Sequence, residues 1–164
     1  VEARDPLPRF AAGPVVAVTG LCVALLVVTA GQYGYHRDEL YFRMLGRHPA
    51  WGYVDEPPLT PLLARVSTAL FGDNLVALRL PAIVGAAATL VVAALIVREL
   101  GGGTGAQVLA TAGLATTIAV LVGHTLATAT TDLVVWLLAI LFTCRALLRG
   151  RPRWWLAAGL TVGL

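Results

Sequence analysis

Residues 76–103 read VALRLPAIVGAAATLVVAALIVRELGGG, and this stretch decides what kind of molecule the chain forms. From Val76 to Val97 it is a continuous apolar run. It is long enough to cross the hydrocarbon core of a bilayer, which takes about 20 helical residues. Arg98–Glu99 and the triplet Gly101–Gly103 end it. Arg79, in LRLP at the opposite end of the run, reads as an anchor at the membrane interface.

The rest of the chain repeats the pattern. A first span is expected at about 13–30, entered through Pro14. A third runs at about 105–123, rich in Ala, Thr and Gly. A fourth covers 133–148 and is followed by Arg149, Arg151 and Arg153. A fifth begins at Trp154–Trp155, whose indoles suit the membrane–water interface, and is incomplete at residue 164. The composition agrees: 58% of residues are hydrophobic, 13% are charged, and the mean hydropathy is +0.80. Soluble domains run at about 45–50% apolar and about 25% charged, so the class is a polytopic helical membrane protein. All twelve basic residues are Arg, and the net charge of +3 comes from loops, which excludes a nucleic-acid footprint. Cys22 and Cys144 lie inside apolar runs without metal or redox spacing.

Position 1 is Val rather than Met, and the fifth apolar segment stops at residue 164. The sequence therefore reads as the N-terminal part of a longer protein. A cleavable signal peptide is the competing reading of the first span, but its apolar run is long and no small-x-small site follows it.

Orientation follows from the arginines. With a cytoplasmic N-terminus, Arg4, Arg9, Arg98, Arg145, Arg149, Arg151 and Arg153 lie inside. The segment around 124–131 carries no basic residue, as a short external loop should. The long loop 32–75 is then extracytoplasmic. Within it, Leu40, Tyr41, Met44 and Leu45 share one helical face, and Leu59, Leu62, Leu63, Val66 and Leu70 share another. Thr60–Pro61 reads as an N-cap and first helical position. Two short amphipathic helices along the membrane surface are expected, joined by a VDEPP turn stiffened by Pro57–Pro58.

The chemistry concentrates in that loop. It holds the acidic pairs Asp38–Glu39 and Asp55–Glu56, and Asp132 opens the fourth span on the same side of the membrane. Ionisable groups near a bilayer are expensive to keep there, which makes them candidates for function. Several carboxylates on one face suit a site where one removes a proton and others hold a hydroxyl or a cation. The bland reading stands beside this one: acids favour a helix N-terminus, Arg37 or Arg43 pairs with them, and a DEPP turn is an ordinary solvated loop. His36, His48 and His124 read as interfacial polar groups. No HExxH, CxxC or GxGxxG pattern occurs.

Taken in order, RDELYF (37–42), DEPPLTPLLARV (55–66), LRLPAIVGA (78–86), RELGG (98–102) and TTDLVVW (130–136) resemble bacterial members of glycosyltransferase family 39, relatives of the protein O-mannosyltransferases and of the aminoarabinose transferases that modify lipid A. The resemblance implies an all-α, multi-spanning, inverting transferase of the GT-C fold in a bacterial plasma membrane. It implies a polyprenyl-phosphate-linked donor carrying a hexose or pentose, and a lipid, protein or glycan acceptor met on the extracytoplasmic side. The family's first-loop acidic pair matches Asp38–Glu39. Asp38 is then the base that deprotonates the acceptor hydroxyl, and Glu39 orients or binds the acceptor.

The acid-x-Pro-Pro-Leu element matches Asp55–Leu59. Its acid is linked to a metal in the aminoarabinose branch, so Asp55 is the residue to test as a ligand for a divalent metal ion. A basic residue follows that acid in the branch, and here Glu56 stands in its place. Asp132 takes a supporting role near donor or acceptor. Arg37, Arg43 and Arg65 are the loop cations available to a departing phosphate, because guanidinium forks match phosphate oxygens. Two rival expectations are a lipid-linked sugar transporter, whose acids would line the spans, and an inactive truncated membrane fragment.

Overall fold

The computed structural model describes residues 7–163, whose regular structure is all helix, with no strand among them. The helices are α1 (Ala12–Thr29), α2 (Arg37–Arg47), α3 (Leu59–Phe71), α4 (Leu75–Glu99), α5 (Thr104–Ala115), the single turn α6 (Ile118–Leu121), α7 (Thr128–Arg149) and α8 (Arg153–Val162). Three of them, α1, α4 and α7, are long and apolar enough to cross a membrane. Arg4, counted above among the cytoplasmic arginines, and Leu164 lie outside the described residues.

Helix α4 is the hub and packs against α1, α3, α5 and α7. Along the seam with α1, Ala11, Val15, Thr19, Cys22, Leu26 and Ala30 recur at steps of three or four and are buried. The apolar ones among them meet Ile83, Ala86, Leu90 and Ala94 of α4, running the other way. Alanines on α4 let the two backbones approach, which is how helices associate where lipid supplies no hydrophobic drive. Gln107 of α5, fully buried, closes the far end of this seam. Its side-chain oxygen accepts the Ala11 N–H (2.9 Å), and its amide donates to the Arg9 carbonyl (3.1 Å).

The expected third span is not one continuous helix. Twelve residues of α5 rise about 18 Å, short of the hydrocarbon core, and the chain then bends into α6. The break falls at Thr116–Thr117, whose hydroxyls donate back to the Gly113 carbonyl (2.8 Å) and the Leu114 carbonyl (2.7 Å). Such bonds offer the backbone a substitute for the helical ladder.

The loop helices bury mainly small and polar residues. On α3 the buried residues are Thr60, Pro61, Ala64 and Ser67, while Leu62, Val66 and Leu70 point outward. Small and polar residues face protein and the leucines face the surroundings, as in a helix bathed in lipid. Thr60 is accordingly inside the helix, not its N-cap, which is Pro58. Ser67 has a specific task. Pro81 has no N–H with which to bond the Ala77 carbonyl one turn back, and the Ser67 hydroxyl donates to that carbonyl instead (2.5 Å). On α2, Glu39, Phe42 and Gly46 are buried while Leu40 and Met44 are exposed. Gly46 is required there, because a Cβ would stand 2.9 Å from the Pro61 carbonyl oxygen where α2 crosses α3.

Candidate active site

The adjacent acids Asp38 and Glu39 open α2, and a helix turns 100° per residue. They therefore face different surroundings. Glu39 points inward with no exposed side-chain surface and meets Arg79 of α4, 2% exposed, in a two-pronged pair. Arg79 Nε donates to Glu39 Oε1 (2.7 Å) and Nη2 to Oε2 (2.8 Å). The remaining guanidinium donors reach the carbonyls of Ala30 (2.6 Å) and Gly34 (2.9 Å). The carboxylate also accepts the N–H groups of His36 (2.8 Å) and Leu126 (3.4 Å). One ion pair thus ties together the end of α1, the start of α2, the start of α4 and the segment before α7.

This geometry corrects two expectations. Arg79 is not an interfacial anchor but a buried partner, since taking a guanidinium out of water is tolerable only when a carboxylate and carbonyls saturate it. Glu39 has no oxygen left over for an acceptor. Its chemistry here is to hold α2 in place.

Asp38 faces outward, its side chain 39% exposed, with Arg37 Nε at 3.2 Å and the His36 ring at 3.7 Å. One turn on, the Tyr41 hydroxyl donates to Asp55 Oδ1 (2.6 Å). Asp55 holds the Tyr41 phenol neutral, pushing its pKa up to about 12. The neighbouring Glu56 accepts the Thr128 hydroxyl at the first residue of α7 (2.5 Å). Asp132 lies one turn beyond Thr128 and so on the same side of α7. It is exposed, and no side chain among the described residues bonds to it. Beside it, the buried hydroxyls of Thr60 and Thr131 bond at 2.8 Å and fix α3 against α7. Two hydrogen bonds thus link groups distant in sequence, Tyr41 to Asp55 and Thr128 to Glu56, with Asp38 one turn before Tyr41 and Asp132 one turn beyond Thr128.

A cleft of about 650 Å³, within the size range of ligand pockets, lies between the α2–α3 loop and α3, and none of these carboxylates is among its lining residues. Its walls are Trp51 and Tyr53 from the loop and Pro58, Leu59, Leu62 and Arg65 from α3. Arg65 is the cation among its lining residues, and its guanidinium donates to the Gly46 carbonyl (3.3 Å). Arg43 is committed elsewhere. Its Nε and Nη2 both reach Asp73 at 2.6 Å, and Arg47 adds a third bond at 2.9 Å. Those hydrogen bonds, Arg43 first, hold the Asp73 carboxyl down to about 2.

No three His, Cys, Asp or Glu side chains among the described residues converge to hold a metal ion. Asp55 in particular presents one oxygen to a phenol, and the donor set does not fit a metal site of this chain's own.

Sequence reasoning missed Tyr41, Thr128, Asp73 and the role of Arg79. A signal was available for Arg79: an arginine inside an apolar run needs an acid from elsewhere, and Glu39 shares a helical face with Phe42 and Gly46.

The sequence model of the dolichyl-phosphate-mannose-protein mannosyltransferase family matches residues 55–164. The chain belongs to that family. It is thereby a multi-pass membrane protein of the mannosyltransferase type among glycosyltransferases. The match takes in Asp55, Glu56, Arg65, Arg79 and Asp132 and begins after α2, so Asp38 and Glu39 lie outside it. No curated protein and no solved structure matches the chain.

Proposed function

We propose that the protein moves a sugar from a polyprenyl-phosphate-linked donor to an acceptor hydroxyl on the extracytoplasmic face of a bacterial plasma membrane, with its N-terminus in the cytoplasm. The observation that carries this reading is the division of labour at the start of α2. Glu39 is consumed by Arg79, while Asp38 stays water-facing one turn before Tyr41, whose hydroxyl bonds Asp55.

In this reading the acceptor hydroxyl lies against Asp38. The carboxylate takes its proton as the oxygen attacks the anomeric carbon from the side opposite the phosphate. The bond from that carbon to the phosphate oxygen breaks, the polyprenyl phosphate leaves with the electron pair, and the configuration inverts. Arg65 meets the leaving phosphate from the cleft, and Arg37 adds positive charge beside the base. Preorganised cations aimed at developing charge are the effective way to stabilise such a departure. Asp55 and Asp132 hold sugar or acceptor hydroxyls, since their carboxylates are exposed. A transporter would need acids along its spans, whereas these sit at the ends of α2 and α7 and in the turn between α2 and α3.

The test is transfer from a radiolabelled polyprenyl-phosphate sugar in membranes expressing the full-length gene, comparing wild type with Asp38→Asn. Loss of a general base costs about 10²–10⁴-fold in rate, and the amount of protein in the membrane should not change. Undiminished transfer would remove Asp38 from the mechanism.

A further inference from the structure

Arg43 and Arg47 lie about 120–180° around α2 from Asp38 and Tyr41, at 100° per residue. They face a second cleft, of about 340 Å³, lined by Arg43, Gly46, Arg47, Arg65, Thr68 and Asp73. Three guanidinium groups share it with one carboxylate, leaving an excess charge of +2. Each guanidinium carries five N–H donors. Asp73 takes three of those on Arg43 and Arg47, and the Gly46 carbonyl takes one from Arg65. The site is thus built, held open by its own carboxylate, and unsaturated toward an anion. On α3 the cleft is lined by Arg65, Thr68 and Ala69. Arg65 and Ala69 are sequence neighbours of Val66 and Leu70 in the stripe Leu62, Val66 and Leu70, exposed one turn apart. A stripe of that kind belongs in the acyl region of a leaflet, and Arg65 is next to it in sequence. Phosphate oxygens at the arginines and hydrocarbon on the stripe describe one kind of molecule.

We infer that this cleft binds the phosphodiester headgroup of an anionic glycerophospholipid, with an acyl chain laid along Leu62, Val66 and Leu70. The cleft shares Arg65 with the transfer reading above, but Arg43 and Arg47 carry this proposal, and both lie on the side of α2 away from Asp38. It gives α2 and α3 a lipid-dependent seat on the membrane.

The experiment is native mass spectrometry of the full-length protein titrated with phosphatidylglycerol or phosphatidylcholine. The expected result is retention of one phosphatidylglycerol in preference to phosphatidylcholine, weakened by salt. The double variant Arg43→Gln/Arg47→Gln should weaken it about thirtyfold, given about 1 kcal/mol for each of the two arginines at an anionic surface. Asp73→Asn frees the donors that Asp73 occupies and should tighten it. Equal retention of both lipids, or phosphatidylglycerol affinity unchanged in the double variant, overturns the proposal. Should the double variant fail to fold, Asp73→Asn decides alone, and unchanged or weaker binding there overturns it. Displacement of the lipid by excess inorganic phosphate would assign the site to free phosphate. Displacement by an equal amount of polyprenyl phosphate would assign it to the donor. Either result overturns the phospholipid assignment.

Discussion

The two ends of α4 solve the same electrostatic problem differently. Arg79 and Glu99 stand twenty residues apart on this helix, which is about 30 Å of rise and close to the thickness of the hydrocarbon core. At the loop end, one carboxylate meets one guanidinium, and both are sealed from water. At the far end, Glu99 is equally buried, but it is shared by Arg145 (3.0 Å) and Arg149 (2.6 Å) of α7, which are 16% and 31% exposed. Arg145 and Arg153 also lie over the Trp154 ring, at 4.8 and 5.3 Å from its centroid. The first site is neutral and closed, so it works only with both partners in place. The second is over-supplied with cations that reach the interface, so it tolerates loss. A closed pair fixes geometry, and here it fixes the helix that carries Asp38.

The largest effect should come from splitting the closed pair. Glu39→Gln leaves Arg79 buried and uncompensated, a situation that costs about 3–5 kcal/mol. We expect a large fall in melting temperature in detergent, rapid proteolysis of the α2–α3 loop, and loss of transfer. Arg79→Met should do the same, with Glu39 as the stranded charge. The double variant Glu39→Gln/Arg79→Met should be more stable than either single one, which a double-mutant cycle would measure as coupling. Additive losses would mean that the pair is not a unit. Asp38→Asn, one residue away, should leave the melting temperature unmoved while transfer falls, because Asp38 holds nothing together.

The same split at the far end should be milder. With Glu99→Gln, Arg145 and Arg149 swing toward the headgroups on their apolar stems. The cost should be about 1–2 kcal/mol, the scale of charged hydrogen bonds lost without a sealed charge left behind. Transfer per folded molecule should be unchanged. A Glu99→Gln variant as damaged as Glu39→Gln would show that both ends are closed, and the contrast would fail.

This contrast shows where the sequence was legible. Apolar length announced α1, α4 and α7, because a bilayer imposes its thickness on composition. It did not announce the break at Thr116–Thr117, since hydropathy counts a threonine the same whether its hydroxyl bends the helix or not. The acidic pairs were visible as a cluster, and the structure bonds Asp55 to Tyr41 and Glu56 to Thr128. The inward turn of Glu39 was encoded in its phase with Phe42 and Gly46. Reading that phase as burial required a cation some forty residues on, inside a span, and local patterns do not reach that far. The exposed leucines of α3 fit the helix expected along the membrane surface. In water an apolar stripe faces the core, whereas at a membrane it faces lipid, and only the small residues mark the protein side.

A smaller effect tests the bond from Tyr41 to Asp55. Tyr41→Phe removes the hydroxyl that donates to Asp55 and leaves the ring. Because the phenol is held neutral up to about pH 12, that bond is intact throughout the working range and would be lost only as pH rises through that value. The variant should keep its melting temperature and lose a few-fold in transfer, an effect on the scale of one net hydrogen bond. A loss as deep as that of Asp38→Asn would mean that Tyr41 touches the reacting atoms itself.

The smallest effect belongs to the open ion pair of Arg43 and Arg47 with Asp73, which extends the series from sealed, through half-open, to exposed. Its folded carboxyl is held at about 2, below the usual aspartate value of 3.8. The sign follows: its contribution is present in full above the ordinary value and fades as pH falls from about 4 toward 2. Exposed pairs contribute little and are screened by salt. Asp73→Asn should therefore leave the melting temperature at neutral pH unchanged within error and slightly flatten its decline between pH 4 and 2, and added salt should erase that difference. A marked loss of stability at neutral pH would mean that α2 is held to α3 by this pair as firmly as it is held to α4 by Glu39, and burial would no longer be what separates the three sites.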